Sequence, residues 1–258
     1  MVNLSDLMIG SDRPFYDSAG FARLAEAEDW FFWFTARNRL ICWALRRHFP
    51  EMRSFCEIGC GTGATLQAVQ RAFPSIPLTG IDYFSEGLLW ARNRVPQAIL
   101  MQGDIHDLPP AASESDVLGA FDVLEHLPDD VGALARLHKA LRPGGGLILT
   151  VPQHRALWSV ADDVGHHRRR YEQAELVGKV RAAGFEVLLV TSFVSLLLPL
   201  LWLNRKRASK PEDAYAELKI GRLPNAFLAG VMSIERRLIQ SGFSFPAGGS
   251  LLLLARCT

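Results

Sequence analysis

The stretch FCEIGCGTGATLQAVQ, residues 55–70, places Gly59, Gly61 and Gly63 within five residues, between a short apolar run and an amphipathic one. Glycine loses more conformational freedom on folding than any other residue. A cluster of it marks backbone that takes unusual dihedrals or lies close to another group. A strand, a glycine turn and a helical run in this order form the opening of an α/β unit that presents its turn to a ligand. An acid, Glu57, stands just ahead of the first glycine.

Working outward, the rhythm repeats. PLTGID (77–82) and SEGLLWARNRV (85–95) read as a second strand and a helix capped by Ser85. AILMQGD (98–104) is a third strand, SDVLGAFDVL (115–124) a fourth, and LPDDVGALARLHKAL (127–141) the helix that follows. RPGGG turns into LILTVP, the fifth strand, and YEQAELVGKVRAAG leads to the sixth, FEVLLVTSF. GGSLLLLARC ends the chain as a seventh. Strands alternating with helices imply a parallel sheet covered on both faces. Residues 17–49, dense in apolar and aromatic side chains, read as a helical cap preceding the core. The 45 or so residues between strands six and seven are too long for a simple connection and read as a helical insertion. The expected organisation is a cap over 1–50, a core over 51–195, an insertion over 196–245 and a last core strand over 246–258.

Composition narrows the classes. About half of the 258 residues are apolar (49%) and the net charge is +1. Such a chain has material for a large core and no global attraction to nucleic acid. The four cysteines, Cys42, Cys56, Cys60 and Cys257, form no CxxC pair and have no histidine at zinc spacing. They read as small packing residues in a reducing cytoplasm, with no metal expected. The N-terminus carries acids and no secretory core. The longest apolar stretch, residues 193–203, is far short of the ~20 residues of a spanning helix.

In an open parallel sheet, ligands sit beyond the carboxyl ends of the strands, where the glycine turn, Asp82, Asp104 and Asp122 all fall. Gly59, Gly61 and Ala64 satisfy the dinucleotide pattern G-x-G-x-x-G/A, but Glu57 would face a pyrophosphate with like charge. An acid there suits a cationic group, such as the ammonium and sulfonium of S-adenosylmethionine, with the helix start at Ala64 receiving a carboxylate. Asp82, at the end of strand two, can accept two ribose hydroxyls, a placement shared with NAD proteins. Asp104 can accept an adenine amino group.

Taken together, EIGCGTG, GID, QGDIHDLP, FDVLEHLPD and LRPGGGLILTVP resemble the class I S-adenosylmethionine-dependent methyltransferases over residues 53–190, and most closely their ubiquinone-biosynthesis-type bacterial branch. WFFWFTARNRLI and DDVGHHRRRYEQAEL resemble flanking segments of one subgroup. The resemblance implies a Rossmann-like seven-stranded sheet with its last strand antiparallel. It makes Glu57, Gly59, Cys60, Gly61 and Gly63 the methionine-end turn, and Asp82 with Tyr83 the ribose site. Gly103, Asp104 and Ile105 become the adenine site, and Asp122 with Val123 lies near the methyl group.

Methyl transfer needs alignment, and a base only where the acceptor loses a proton. Asp122, Glu125, His126, His166, His167 and Tyr171 are the candidates. Asp107, Asp129 and Asp130 read as caps or surface charges. In GHHRRRY, two histidines and three arginines cannot all be buried unpaired, so the loop is either solvated or a lid facing an anionic acceptor. LLLPLLWLNRKR (196–207) reads as a helix packed on the core or in a dimer interface, or as a peripheral membrane anchor or the wall of a pocket for a lipid-like acceptor. The expected acceptor is a small molecule, lipid- or quinone-like, methylated on oxygen or carbon. The rival readings are an NAD-dependent oxidoreductase and a non-catalytic cofactor-binding partner.

Overall fold

The computed structural model describes residues 18–113, 115–207 and 220–258; the N-terminal stretch to residue 17 and the centre of the insertion lie outside the described residues. The strands are β1 (Phe55–Ile58), β2 (Leu78–Asp82), β3 (Ile99–Gln102), β4 (Val117–Phe121), β5 (Gly146–Pro152), β6 (Phe185–Phe193) and β7 (Ser250–Cys257). They form one sheet in the order β3-β2-β1-β4-β5-β7-β6, parallel except for β7, which runs antiparallel between β5 and β6. The direction of strand ordering reverses between β1 and β4, so the crevice for a ligand opens there.

Each buried strand is apolar on both faces because helices cover both. In β7, Leu252 and Leu254 enter one core while Leu251 and Leu253 enter the other, the period-two alternation of a strand. The first core lies under α2 (Phe32–His48), α3 (Ala64–Ala72) and α10 (Arg222–Gln240), and the second under α6 (Asp130–Ala140) and α8 (Gln173–Ala182). The remaining helices are α1 (Ser18–Glu28), α4 (Ser85–Arg94), the short α5 (Pro110–Ser113) and α7 (Val160–Val164), and α9 (Leu198–Arg207).

The structure departs from the sequence reading in two places. The N-terminal helical run breaks into α1 and α2 at a corner around Trp30 and Phe31. Asn225 of α10 closes that corner, its Oδ1 accepting from the Phe32 amide at 2.8 Å and its Nδ2 donating to the Trp30 carbonyl at 2.9 Å. Ser85 does not cap α4: Phe84 occupies the cap position, and Asp82 Oδ1 accepts from the Phe84 amide at 2.8 Å. The insertion holds α9 and α10, and α10 packs chiefly along α2. Pro224 falls in the first turn of α10, where its missing amide hydrogen removes no helical bond.

A second buried polar anchor joins α10 to the core. Glu235 accepts from the amides of Val194, Ser195 and Leu196 at 2.6–2.8 Å, closing the exit from β6. Replacing Glu235 by Ala strands these amides without changing the sheet. Glu235→Ala is expected to lower unfolding free energy by about 2–4 kcal/mol, read by chemical denaturation, while Glu235→Gln, which keeps one acceptor oxygen, loses less.

Candidate functional site

The glycine turn is built as its composition requires. Gly59, Gly61 and Gly63 all have positive φ, of 73°, 51° and 79°, a region in which other residues are strained. A Cβ on Gly59 would come within 2.5 Å of Val123 Cγ2, so the turn presses against the end of β4. At Gly61 the same position meets nothing within 4 Å, which leaves bare backbone facing open space. The Gly61 amide donates to Asp82 Oδ2 at 2.6 Å, locking the turn to the end of β2.

Glu57 is buried on β1, and its Oε2 has no hydrogen-bond partner. Burial pushes its carboxyl well above the usual range; the charge of Arg37 opposes this, and Glu28 and Asp82 reinforce it. Arg37, from the second turn of α2, is the central cation. It donates to Asp122 Oδ2 at 2.5 Å and to Thr65 Oγ1 at 3.1 Å, and it stacks 4.8 Å from the Trp33 ring. Sequence reasoning named the aromatic-then-arginine helix but missed Arg37 itself. Its signal was an arginine among the apolar and aromatic residues at the start of a helix.

Asp122 sits immediately beyond β4 with φ 55°, and Thr150 of β5 also donates to its Oδ2 at 3.1 Å. Asp104 lies beyond β3, half-buried, with the His106 amide on its Oδ1 at 2.8 Å; Ile105 beside it is buried. The Gly103 amide donates to the Asp82 carbonyl at 3.0 Å, so the ends of β2 and β3 stay adjacent. Tyr83 is exposed at the rim, its ring edge-on to Phe84 at 5.1 Å. Cys60 is buried, and burial raises its thiol well above the usual range, so it packs rather than reacts. Over the turn lies α1, whose Glu28 accepts from Thr62 Oγ1 and from Arg94 at 2.7 Å.

Next to this crevice is a cavity of about 320 Å³. Its polar lining includes Asp122, Glu125 and His167, and its apolar lining Phe31, Trp33 and Leu200. Glu125 is fully buried, with no partner for either carboxyl oxygen, and burial reinforced by Asp122 raises its carboxyl well above the usual range. His167 Nδ1 lies 2.9 Å from Asp162 Oδ1. Asp162 also binds Arg170 at 2.7 Å and Arg205 of α9 at 2.8 Å. Burial alone would raise Asp162, but the His167 hydrogen bond and the two guanidinium charges outweigh it and hold the carboxyl below its usual range.

The structure thus brings Asp122, His126 and His167 together, the two imidazoles meeting edge to face at 4.7 Å. His166, with φ 54°, does not line the cavity. Tyr171 is not brought to the site: it is fully buried in the second core and donates to Asp130 Oδ2 at 2.7 Å. Burial and the Asp130 bond raise its hydroxyl far above the usual range, which removes it as a base. The arginines of GHHRRRY are largely paired, Arg170 with Asp162 and Arg169 with Asp130 at 2.7 Å. Asp130 is therefore a buried anchor and not a surface charge, whereas Asp129 caps α6 through the Gly132 amide. The ligand atoms of Glu125, His126 and His167 lie within 4.8 Å of one another, a donor set that could hold a divalent cation, which the sequence did not suggest.

A sheet of this order with a glycine turn after β1 and acids after β2, β3 and β4 defines the class I S-adenosylmethionine-dependent methyltransferase fold. The chain belongs to the methyltransferase domain family, whose model matches residues 32–190. A probable S-adenosylmethionine-dependent methyltransferase of Mycolicibacterium smegmatis is 30% identical over 64% of this chain and 62% of its own length. A trans-aconitate 2-methyltransferase of Paracidovorax citrulli is 29% identical over 76% of this chain and 81% of its own. The chain spans 40–41% of the length of several other relatives named for trans-aconitate. Among solved structures, Haemonchus contortus phosphoethanolamine N-methyltransferase 2 superposes with a TM-score of 0.64 at 17% identity, over 99% of this chain and 61% of that one. Family membership displaces the NAD-dependent oxidoreductase reading. The unpartnered Glu57 oxygen and the open face of Gly61 fit a cofactor with a cationic end.

His126 is half-buried, and burial with the neighbouring His167 lowers its pKa from 6.5 to about 3. A depressed histidine binds fewer protons folded than unfolded, so its stability contribution is present above 6.5 and is lost as pH falls toward 3. His126→Gln is expected to flatten the loss of thermal stability across that window, measured by calorimetric scans at stepped pH. Glu57 works with the opposite sign: raised when folded, it lowers stability as pH rises. Glu57→Gln is expected to raise the unfolding temperature of the unliganded protein at neutral pH while weakening cofactor binding.

Proposed function

We propose that the protein is an S-adenosylmethionine-dependent methyltransferase acting on a small molecule with an apolar body and an ionisable oxygen or acidic carbon. The observation that carries this reading is the cavity, which is lined by Asp122 beyond β4, His167 of the loop before α8, the aromatic start of α2 and the leucines of α9. S-adenosylmethionine, when bound, supplies a methyl group already activated by its sulfonium. Glu57 and the glycine turn hold its amino-acid end, with Arg37 placed for the carboxylate. Three of the five N–H groups of Arg37 are engaged by Asn38, Asp122 and Thr65, leaving donors for a ligand. Asp82 with Tyr83 serves the ribose, and Gly103, Asp104 and Ile105 the adenine.

His167 is the base this reading favours. Asp162 accepts the proton on Nδ1, which leaves Nε2 with the lone pair. His126, with its depressed pKa, is a weaker base and supports the His167 ring. Two guanidiniums, Arg170 and Arg205, share the single Asp162 carboxylate on the cavity wall, so positive charge is in excess there. That excess suits an acceptor carrying a carboxylate, as does the trans-aconitate in the names of several relatives. The aromatic lining suits the ring or chain of a quinone- or lipid-like body.

His167→Ala is expected to lower kcat roughly 10²- to 10⁴-fold with cofactor affinity nearly unchanged; equal loss of both would refute the base assignment. Arg37→Ala is expected to weaken S-adenosylmethionine binding by about ten- to a hundredfold in titration calorimetry. NAD should give no heat with either protein, and a wild-type chain that bound NAD in place of S-adenosylmethionine would reverse the assignment.

A further inference from the structure

We propose that the outer face of α10, with the exposed side of α9, docks the protein on an anionic lipid bilayer. Leu223, Phe227, Ile234 and Leu238 are 85, 70, 55 and 40% exposed. Their spacing of four, seven and four places them on one stripe of the helix. The opposite side of α10, with Asn225, Met232, Glu235 and Ile239, is buried against the rest of the fold. In the same insertion, α9 exposes Leu200, Trp202 and Leu203. Isolated apolar residues on a surface need no explanation, but four along one face of a helix do.

Charge selects the occupant. The only acid in α9 and α10 is Glu235, and it is turned inward onto the amides after β6. The outer flank of the stripe carries the exposed Arg222 and Arg237, and Arg236 lies close to Arg39 of α2. Burial and repulsion from Arg39 and Arg237 hold Arg236 below its usual range, so these guanidiniums crowd one another. A second copy related by a two-fold axis would press such arginines against their equivalents. An anionic headgroup layer meets them with opposite charge while the stripe enters the acyl boundary.

The same helices line the acceptor cavity with Leu200, Leu201 and Leu228. A bilayer-dissolved acceptor would therefore reach His167 without crossing water. That last step rests on the functional reading above; docking does not.

The test is flotation with phosphatidylcholine vesicles, alone or mixed with phosphatidylglycerol, in the absence of cofactor and acceptor. The wild-type chain should float with the anionic vesicles and lose binding as salt is raised. Neutralising Arg222 and Arg237 as Gln should weaken partition by about fivefold per arginine. The double variant Phe227→Glu, Ile234→Glu should not float, while its circular dichroism and S-adenosylmethionine affinity match wild type. Wild type that floats with neither vesicle, or equally with both, overturns the proposal. So does a stripe variant that floats unchanged, or a solution dimer that the stripe variant dissociates without vesicle binding by wild type. Vesicle binding by a chain that transfers no methyl group would leave docking standing and count against the functional reading alone.

Discussion

The structure turns on an imbalance of charge at the carboxyl ends of β1, β2 and β4. Glu57, Asp82 and Asp122 converge there, with Glu28 arriving from α1, and two arginines, Arg37 and Arg94, answer them. Arg94 is committed to Glu28, which leaves Arg37 to serve Asp122 and, through space, Glu57. In so dry a crevice a second negative charge is expensive unless a cation joins it. Burial therefore keeps the Glu57 carboxyl neutral over a wider pH range than in water, and a cationic ligand would restore its charge. Cofactor affinity and proton binding at Glu57 are two views of one equilibrium.

A few ångströms along the strand ends the sign reverses. Asp162 is a single buried carboxylate holding Arg170, Arg205 and His167, and it ties three segments together: α7, the loop before α8 and the end of α9. An anion so well provided with donors stays ionised, and it fixes the tautomer of His167 by accepting from Nδ1. The cavity thus lies between a cation-poor region that suits the donor and a cation-rich region that suits an anionic acceptor. Neither arrangement requires the other, which explains how one fold accepts different acceptors behind a constant cofactor turn.

Much of this was legible in the sequence, because local chemistry carried it. The glycine turn, the strand-end aspartates and the alternation of strands with helices are short-range patterns, and the sheet followed from them. What escaped were pairings across long separations. Nothing near Asp162 announces that it will meet Arg205, 43 residues on, and Asn225 gives no sign that it closes a corner at Trp30. Tyr171 failed as a base for the same reason: its neighbours in sequence are basic, but its hydroxyl points at Asp130 in the second core. Arg37 was passed over because an arginine in an aromatic helix resembles a surface residue until the partners from β4 and α3 are in place.

The insertion shows why acceptor choice can vary while the core does not. Its attachment is polar at three points, Asn225 to the α1–α2 corner, Glu235 to the amides after β6 and Arg205 to Asp162, and apolar where Met232 and Ile239 enter the first core. Its contribution to the cavity is mixed: Leu200, Leu201 and Leu228 are apolar, while Asn204 and Arg205 bring polar groups. Hydrogen bonds with buried partners are directional and costly to lose, whereas apolar contacts tolerate changes of similar volume. The directional anchors, Asn225 and Glu235, are therefore different residues from the leucines that shape the cavity. On the proposed reading, a change of leucine size would alter which acceptor fits, and His167, held by Asp162, would keep its position.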